Sequence, residues 1–176
     1  DLDDGSSNYH IYNNLCLHGG LKLREGFART VENNIMVNNT FHPHVWFANS
    51  QDIFRHNIVT TPYRPIQEKE WGKETDTNFF VTKQGLEQKR GTDLHSLYGD
   101  PLFIAPEKGD YRVKENSPAL KTGFRNFDME HFGVQCPHLK ALAATPELPV
   151  FKIPEEKPET VQTYSFISQR SQWTAL

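Results

Sequence analysis

The chain has 176 residues, enough for one domain and too few for two of ordinary size. Its net charge of −3 comes without a basic block, which excludes the electrostatic footprint of a nucleic-acid binder, and no apolar run reaches the length of a membrane span or a signal peptide core. Only 36% of the residues are hydrophobic but 12% are aromatic, so the core has to come from aromatic and β-branched side chains rather than from Leu-rich helices.

From the N-terminus onward, four segments align with one another: Tyr9 to Leu17, Arg29 to Val37, Asp52 to Thr60 and Lys73 to Val81. Each sets an asparagine directly before an apolar stretch, at Asn14, Asn34, Asn57 and Asn78, in steps of 20, 23 and 21 residues. A period in the low twenties, without the recurrent leucines of a leucine-rich repeat, predicts an all-β solenoid. The asparagine column has a physical reason: Asn tolerates a left-handed bend, and stacked Asn side chains hydrogen-bond along the solenoid axis.

Beyond residue 85 the repeat fades into turn-rich sequence. Leu102 to Ile104 and Tyr111 to Val113 read as extended pieces that continue or close the last coils, and Pro137 to Ala144 as a brief helix. Pro and Glu dominate from Pro146 to Thr160, the composition of a semi-extended linker. The tail from Tyr164 to Leu176 is apolar again, as a docked strand or the start of a further domain would be. The chain thus divides into coils (1–104), a closing segment (105–145) and a linker with its tail (146–176). Cys16 and Cys136 read as two unlinked thiols.

Strand alternation assigns faces to the remaining coil residues. Leu2, Leu21, Leu23, Pro43, Val45 and Phe47 point inward; Asp3, Lys22, Arg24, His42, His44 and Trp46 point outward and gather on adjacent rungs. Asp4 and Glu25 end their strands at matching places, each before a glycine at which the chain turns. Parallel strands lie about 4.8 Å apart, so carboxylates at equal positions on successive coils sit roughly 5 Å apart, the separation used by retaining glycosidases. Crowding drives the two pKa values apart, which suits one carboxylate as nucleophile and its neighbour as acid. Arg24 between them would favour the ionised nucleophile or hold a sugar hydroxyl, while Trp46, His42 and His44 would stack on and hydrogen-bond to a pyranose.

The same residues admit plainer readings. Asp-Asp-Gly is an ordinary turn, and Arg24-Glu25 an ordinary solvated ion pair. His42 and His44 have zinc-ligand chemistry but lack further ligands on their rungs, and Asp3 and Asp4 suit calcium without supplying a full set of oxygen ligands. No metal or cofactor is therefore expected, calcium being the one cation the acids would suit. His10, His18, His56, His95, His131 and His138 share no spacing and read as surface or turn residues.

The stretches "DLDDGSSNYHIYNNL", "GLKLREGF", "NNIMVNN" and "FHPHVWF" resemble bacterial right-handed parallel β-helix proteins of the pectin-lyase-like class, and "GDPLFIAPEKGDYRVKENSPALKTGF" resembles the segment that closes such solenoids. Within that class the acidic coils are similar to glycoside hydrolase family 120, the β-xylosidases, over roughly residues 1–130. The resemblance implies a retaining, exo-acting enzyme on plant cell-wall oligosaccharides, with Glu25 as acid/base and Asp3 or Asp4 as nucleophile. Family members are much longer, which implies that further coils, or another chain, stack on the first coil and complete the sugar pocket. A periplasmic or secreted location is expected, with an oligosaccharide as partner and neither nucleic acid nor membrane. The other readings of these coils are a fucosidase- or xylanase-type β-helix enzyme, a polysaccharide lyase, or a non-catalytic carbohydrate-binding or structural β-helix.

Overall fold

The computed structural model describes residues 1–44, 47, 49–67, 70–86, 91–144 and 147–155. The strands are short, as a solenoid with sharply bent coils requires: β1 (His10–Tyr12), β2 (Leu15–Cys16), β3 (Leu21–Leu23), β4 (Thr30–Glu32), β5 (Ile35–Met36), β6 (Phe41–Pro43), β7 (Ile53–Arg55), β8 (Ile58–Val59), β9 (Glu74–Asp76), β10 (Phe79–Phe80), β11 (Leu97–Tyr98), β12 (Phe103–Ala105) and β13 (Asp110–Val113). Equivalent strands of successive coils pair in parallel, in the orders β1-β4-β7-β9, β11-β10-β8-β5-β2 and β3-β6. Bridges from Leu2 to Leu23 and from His44 to Ile66 extend the third of these sheets by a rung at each end. The fold is a parallel β-helix of about four turns.

The expected asparagine column forms a continuous ladder. The Nδ2 groups of Asn14, Asn34 and Asn57 donate to the Oδ1 of the next Asn at 2.8, 3.0 and 3.1 Å, and each Oδ1 also accepts the backbone N–H of the preceding ladder residue. Asn34, Asn57 and Asn78 are fully buried or nearly so, and each Nδ2 also donates to main-chain carbonyls, so buried amides are satisfied within the bend. The ladder ends on Asp93 and Ser96. One expectation is corrected here: the left-handed residue at each bend is not the ladder Asn but the one before it, Asn13, Asn33, His56 or Thr77, with φ between 53° and 57°. That leaves the ladder Asn free to turn its amide into the coil.

Two groups of buried side chains fill the interior. One joins Leu23, Val31, Phe41, Phe54, Val59, Tyr63 and Phe80, with the Phe41 and Phe54 rings stacked at 4.1 Å and the Tyr63 ring edge-on to both. The other joins Ile35, Ile58 and Phe79 to Phe103, Tyr111, Val113 and Phe124 of the closing segment. That segment does not add parallel coils: β12 and β13 form an antiparallel hairpin that covers the core. The helix expected near residue 137 is present as α1 (Pro137–Leu142), exposed throughout. Phe151, at the start of the Pro/Glu-rich stretch, packs edge-on to Phe103 and Tyr111. Cys16 and Cys136 are free thiols. The tail from Tyr164 and the inward place expected for Val45 lie outside the described residues. Phe47, expected inward, is instead 39% exposed and stacks on Phe27 at 5.5 Å, two rings sharing cover at a corner where the strand pattern has ended.

Candidate functional site: three carboxylates around Arg24

The Leu2–Leu23 bridge fixes the register of the first two coils, placing Asp3 beside Arg24 and Asp4 beside Glu25. Gly5 N donates to Glu25 O at 2.6 Å and holds the turn against the next coil. The turn itself runs from Asp3 to Ser6, whose N–H donates to Asp3 O at 3.1 Å, and its two central residues both have positive φ, Asp4 at 21° and Gly5 at 80°. Gly5 therefore does serve the turn, as expected. Gly26 has a different role: a Cβ there would lie 2.3 Å from Ser6 O and 2.9 Å from Arg29 Nη1, so glycine is needed for close approach rather than for bending.

Arg24 stands at the centre. Its Nη1 lies 2.9 Å from an oxygen of Asp3 and 2.9 Å from an oxygen of Asp4, and its Nε lies 3.3 Å from Glu25 Oε2. One guanidinium thus touches carboxylates from two successive coils. The hydrogen bond and charge of Arg24 hold the Asp3 carboxyl below the usual carboxylate range, and Asp3 in turn raises Arg24. Lys22 Nζ lies 3.5 Å from an Asp1 oxygen, so four carboxylates face two cations along this edge. The acids are not sunk in the protein: the side chains of Asp3 and Asp4 are 56% and 76% exposed.

On the neighbouring rung, Lys22 pairs with His42 and Leu23 with Pro43, which sets His42 beside Lys22 and His44 beside Arg24 on adjacent rungs. His42 Nε2 lies 2.8 Å from Asn39 Oδ1, and burial, then the nearby Arg64 and Lys22 charges, lower its pKa, which favours the neutral ring. His44 is half-buried, and its Nδ1 makes no hydrogen bond among the described residues. Trp46, the expected stacking plate, lies outside the described residues. Among the described residues no group of three or more His, Cys, Asp or Glu is placed to hold a metal ion.

Spacing along the chain did not reveal the support beneath the cluster. Arg29 and Asp52 are fully buried and paired: Asp52 accepts from Arg29 N at 2.9 Å, Nε at 3.1 Å and Nη2 at 2.6 Å. The remaining arm of Arg29, Nη1, donates to Arg24 O at 2.6 Å. The signal was present in the sequence, since Arg29 and Asp52 head two consecutive aligned segments and so occupy one column of the solenoid. The pair fixes the backbone from which Arg24 and Glu25 project.

Three cavities of the protein are lined by other residues, on the β1–β4 face, at the β2 edge against Phe127 and Met129, and beside His56 and Arg125. In comparisons with family models, curated proteins and solved structures, the chain matches none.

Proposed function

We propose that this chain carries the catalytic carboxylates of a retaining glycoside hydrolase, of the β-xylosidase type that its acidic coils resemble. The observation that carries the reading is the Arg24 guanidinium bracketed by Asp3, Asp4 and Glu25 from adjacent coils. Asp3, held ionised by Arg24, has the state a nucleophile needs. Glu25 stands on the facing rung, where it would protonate the departing glycosidic oxygen and then draw a proton from the incoming water. Asp4 shares the guanidinium and is the alternative nucleophile, while His42 and His44 offer ring nitrogens to sugar hydroxyls.

The test is kinetic. In the intact protein, Glu25→Ala and Asp3→Asn are each expected to lower kcat/KM on nitrophenyl β-xyloside by about 10²–10⁴-fold. Near-normal turnover in both variants sinks the assignment. A second reading, a carbohydrate-binding β-helix without catalysis, is favoured by the open position of the acids, since the Asp3 and Asp4 side chains are more than half exposed. It predicts binding of oligosaccharides with no hydrolysis by the unaltered protein.

A further inference from the structure

The outer face of the β1-β4-β7-β9 sheet carries a trough on a different sheet from the acids. Two cavities compose it and share Glu32. One, of about 480 Å³, is lined by Asn8, Tyr9, His10, Thr30 and Glu32; the other, of about 360 Å³, by Tyr12, Glu32, Asn33, His56 and Arg125 among others. Their rungs are adjacent, because His10 pairs with Thr30 and Tyr12 with Glu32. Both are shallow and open to solvent, so a ligand would lie along the face rather than enter a cleft.

The lining has two kinds of surface. Ring faces come from Tyr9 and Tyr12, 48% and 54% exposed, and from His10, which stacks on Tyr12 at 4.4 Å. Hydrogen-bonding edges come from a network that is already held in place. Glu32 takes His10 Nε2 on one oxygen and Arg55 Nε on the other, both at 2.9 Å. Arg55 also reaches Glu74 at 3.4 Å. On this face the two carboxylates, Glu32 and Glu74, stand against two guanidiniums, Arg55 and Arg125, and burial favours the neutral form of His56. The far wall is fixed by Asn33, which accepts Arg125 N at 2.7 Å and donates to Arg125 O at 2.9 Å. Gly123 packs so closely on the His56 ring that a Cβ would lie 2.9 Å from it.

Exposed aromatic faces beside compensated, pre-oriented polar groups suit a ligand that presents both C–H faces and many hydroxyls. A polyanion would find no net positive field here, and an apolar ligand would strand the polar edges. We propose that this trough binds an uncharged oligosaccharide chain, at a site separate from the acid cluster. The proposal does not require that the acids hydrolyse anything.

The experiment titrates the intact protein carrying Glu25→Gln, to prevent turnover, with xylohexaose, cellohexaose and an oligogalacturonate, by calorimetry and by NMR shifts. Binding of at least one neutral hexaose is expected, with shifts at Tyr9, His10 and Tyr12. Adding Tyr9→Ala and Tyr12→Ala should weaken it about tenfold or more. The two tyrosines are exposed, so the NMR spectrum of the double variant should remain that of the folded protein. In the Glu25-intact background the same double variant should hydrolyse nitrophenyl β-xyloside as before, because that substrate needs only the acid cluster. No neutral binding at millimolar sugar, unchanged affinity in the double variant, or preference for the oligogalacturonate overturns the trough. Loss of xyloside hydrolysis as a property of the unaltered protein overturns the catalytic reading and leaves the trough standing.

Discussion

At the scale of single residues, the protein uses one cation to organise several acids. Arg24 is half-buried and meets three carboxylates, and its hydrogen bond and charge lower the Asp3 carboxyl. A carboxyl lowered in the folded state adds stability above its ordinary pKa and loses it as pH falls through the folded value. Arg24→Gln should therefore raise the Asp3 midpoint toward the ordinary 3.8, read from the carboxyl carbon in an NMR titration. An unchanged midpoint would mean that the pair does not hold in solution. The acids and their register were legible in the sequence, because "DLDDG" and "LREG" repeat one coil apart. The Arg29–Asp52 mount was not read, although its members head aligned segments one 23-residue period apart, because the alignment puts them in one column without saying that the column is buried. Buried ion pairs are costly to desolvate, so this one belongs to the geometry of the Arg24 backbone more than to overall stability.

At the scale of elements, the ladder does what the two- and three-residue strands cannot do alone. Asn57 donates to Val31 O, Arg55 O and Asn78 Oδ1 and accepts from Asn34, so its removal strands several buried groups at once. Asn14, on the first coil of the ladder, donates to Tyr12 O and Asn34 Oδ1 and is exposed. Asn57→Ala should cost about 2–4 kcal/mol in chemical denaturation and Asn14→Ala about 1 kcal/mol or less. Equal losses would contradict the ladder as a buried network. Its other end has the opposite sign of charge effect. Burial raises the Asp93 carboxyl while Ser96, Asn78 and Tyr63 donate to its Oδ1. A raised carboxyl contributes fully below its unfolded pKa and loses that contribution as pH rises through the folded value. Asp93→Asn keeps the acceptor and removes the charge, so it should raise the melting temperature near neutral pH, with the gain shrinking toward about pH 4. The asparagine column was visible from the spacing alone, whereas the left-handed residue before each Asn was not. Asn, His and Thr all occupy that place, and no single residue type marks it. The β12–β13 hairpin was missed as a hairpin because its strands are short and its turn contains Pro106 and Gly109 in a 3₁₀ arrangement rather than a two-residue loop.

At the scale of the whole molecule, the solenoid gives its faces different surfaces. Its interior is aromatic, one outer edge gathers acids around Arg24, and a second outer face bears the tyrosine-lined trough. The period carried the fold because every coil repeats the same bend, but it could not say which outward residues face a cavity. That depends on where the closing segment lies, and Gly123 and Arg125 reach the coils from some 70 to 90 residues away in the chain. The central claim, that Asp3 or Asp4 is the nucleophile of a retaining glycosidase, predicts a covalent intermediate. The most direct measurement is intact-mass and peptide mapping after incubation with a 2-deoxy-2-fluoro-β-xyloside bearing an activated leaving group. One fluoroxylosyl unit per protein, mapped to Asp3 or Asp4 and abolished when that residue is changed to Asn, is the result expected. A protein that hydrolyses xylosides without trapping any label, or that carries the label on a residue away from Arg24, would contradict it.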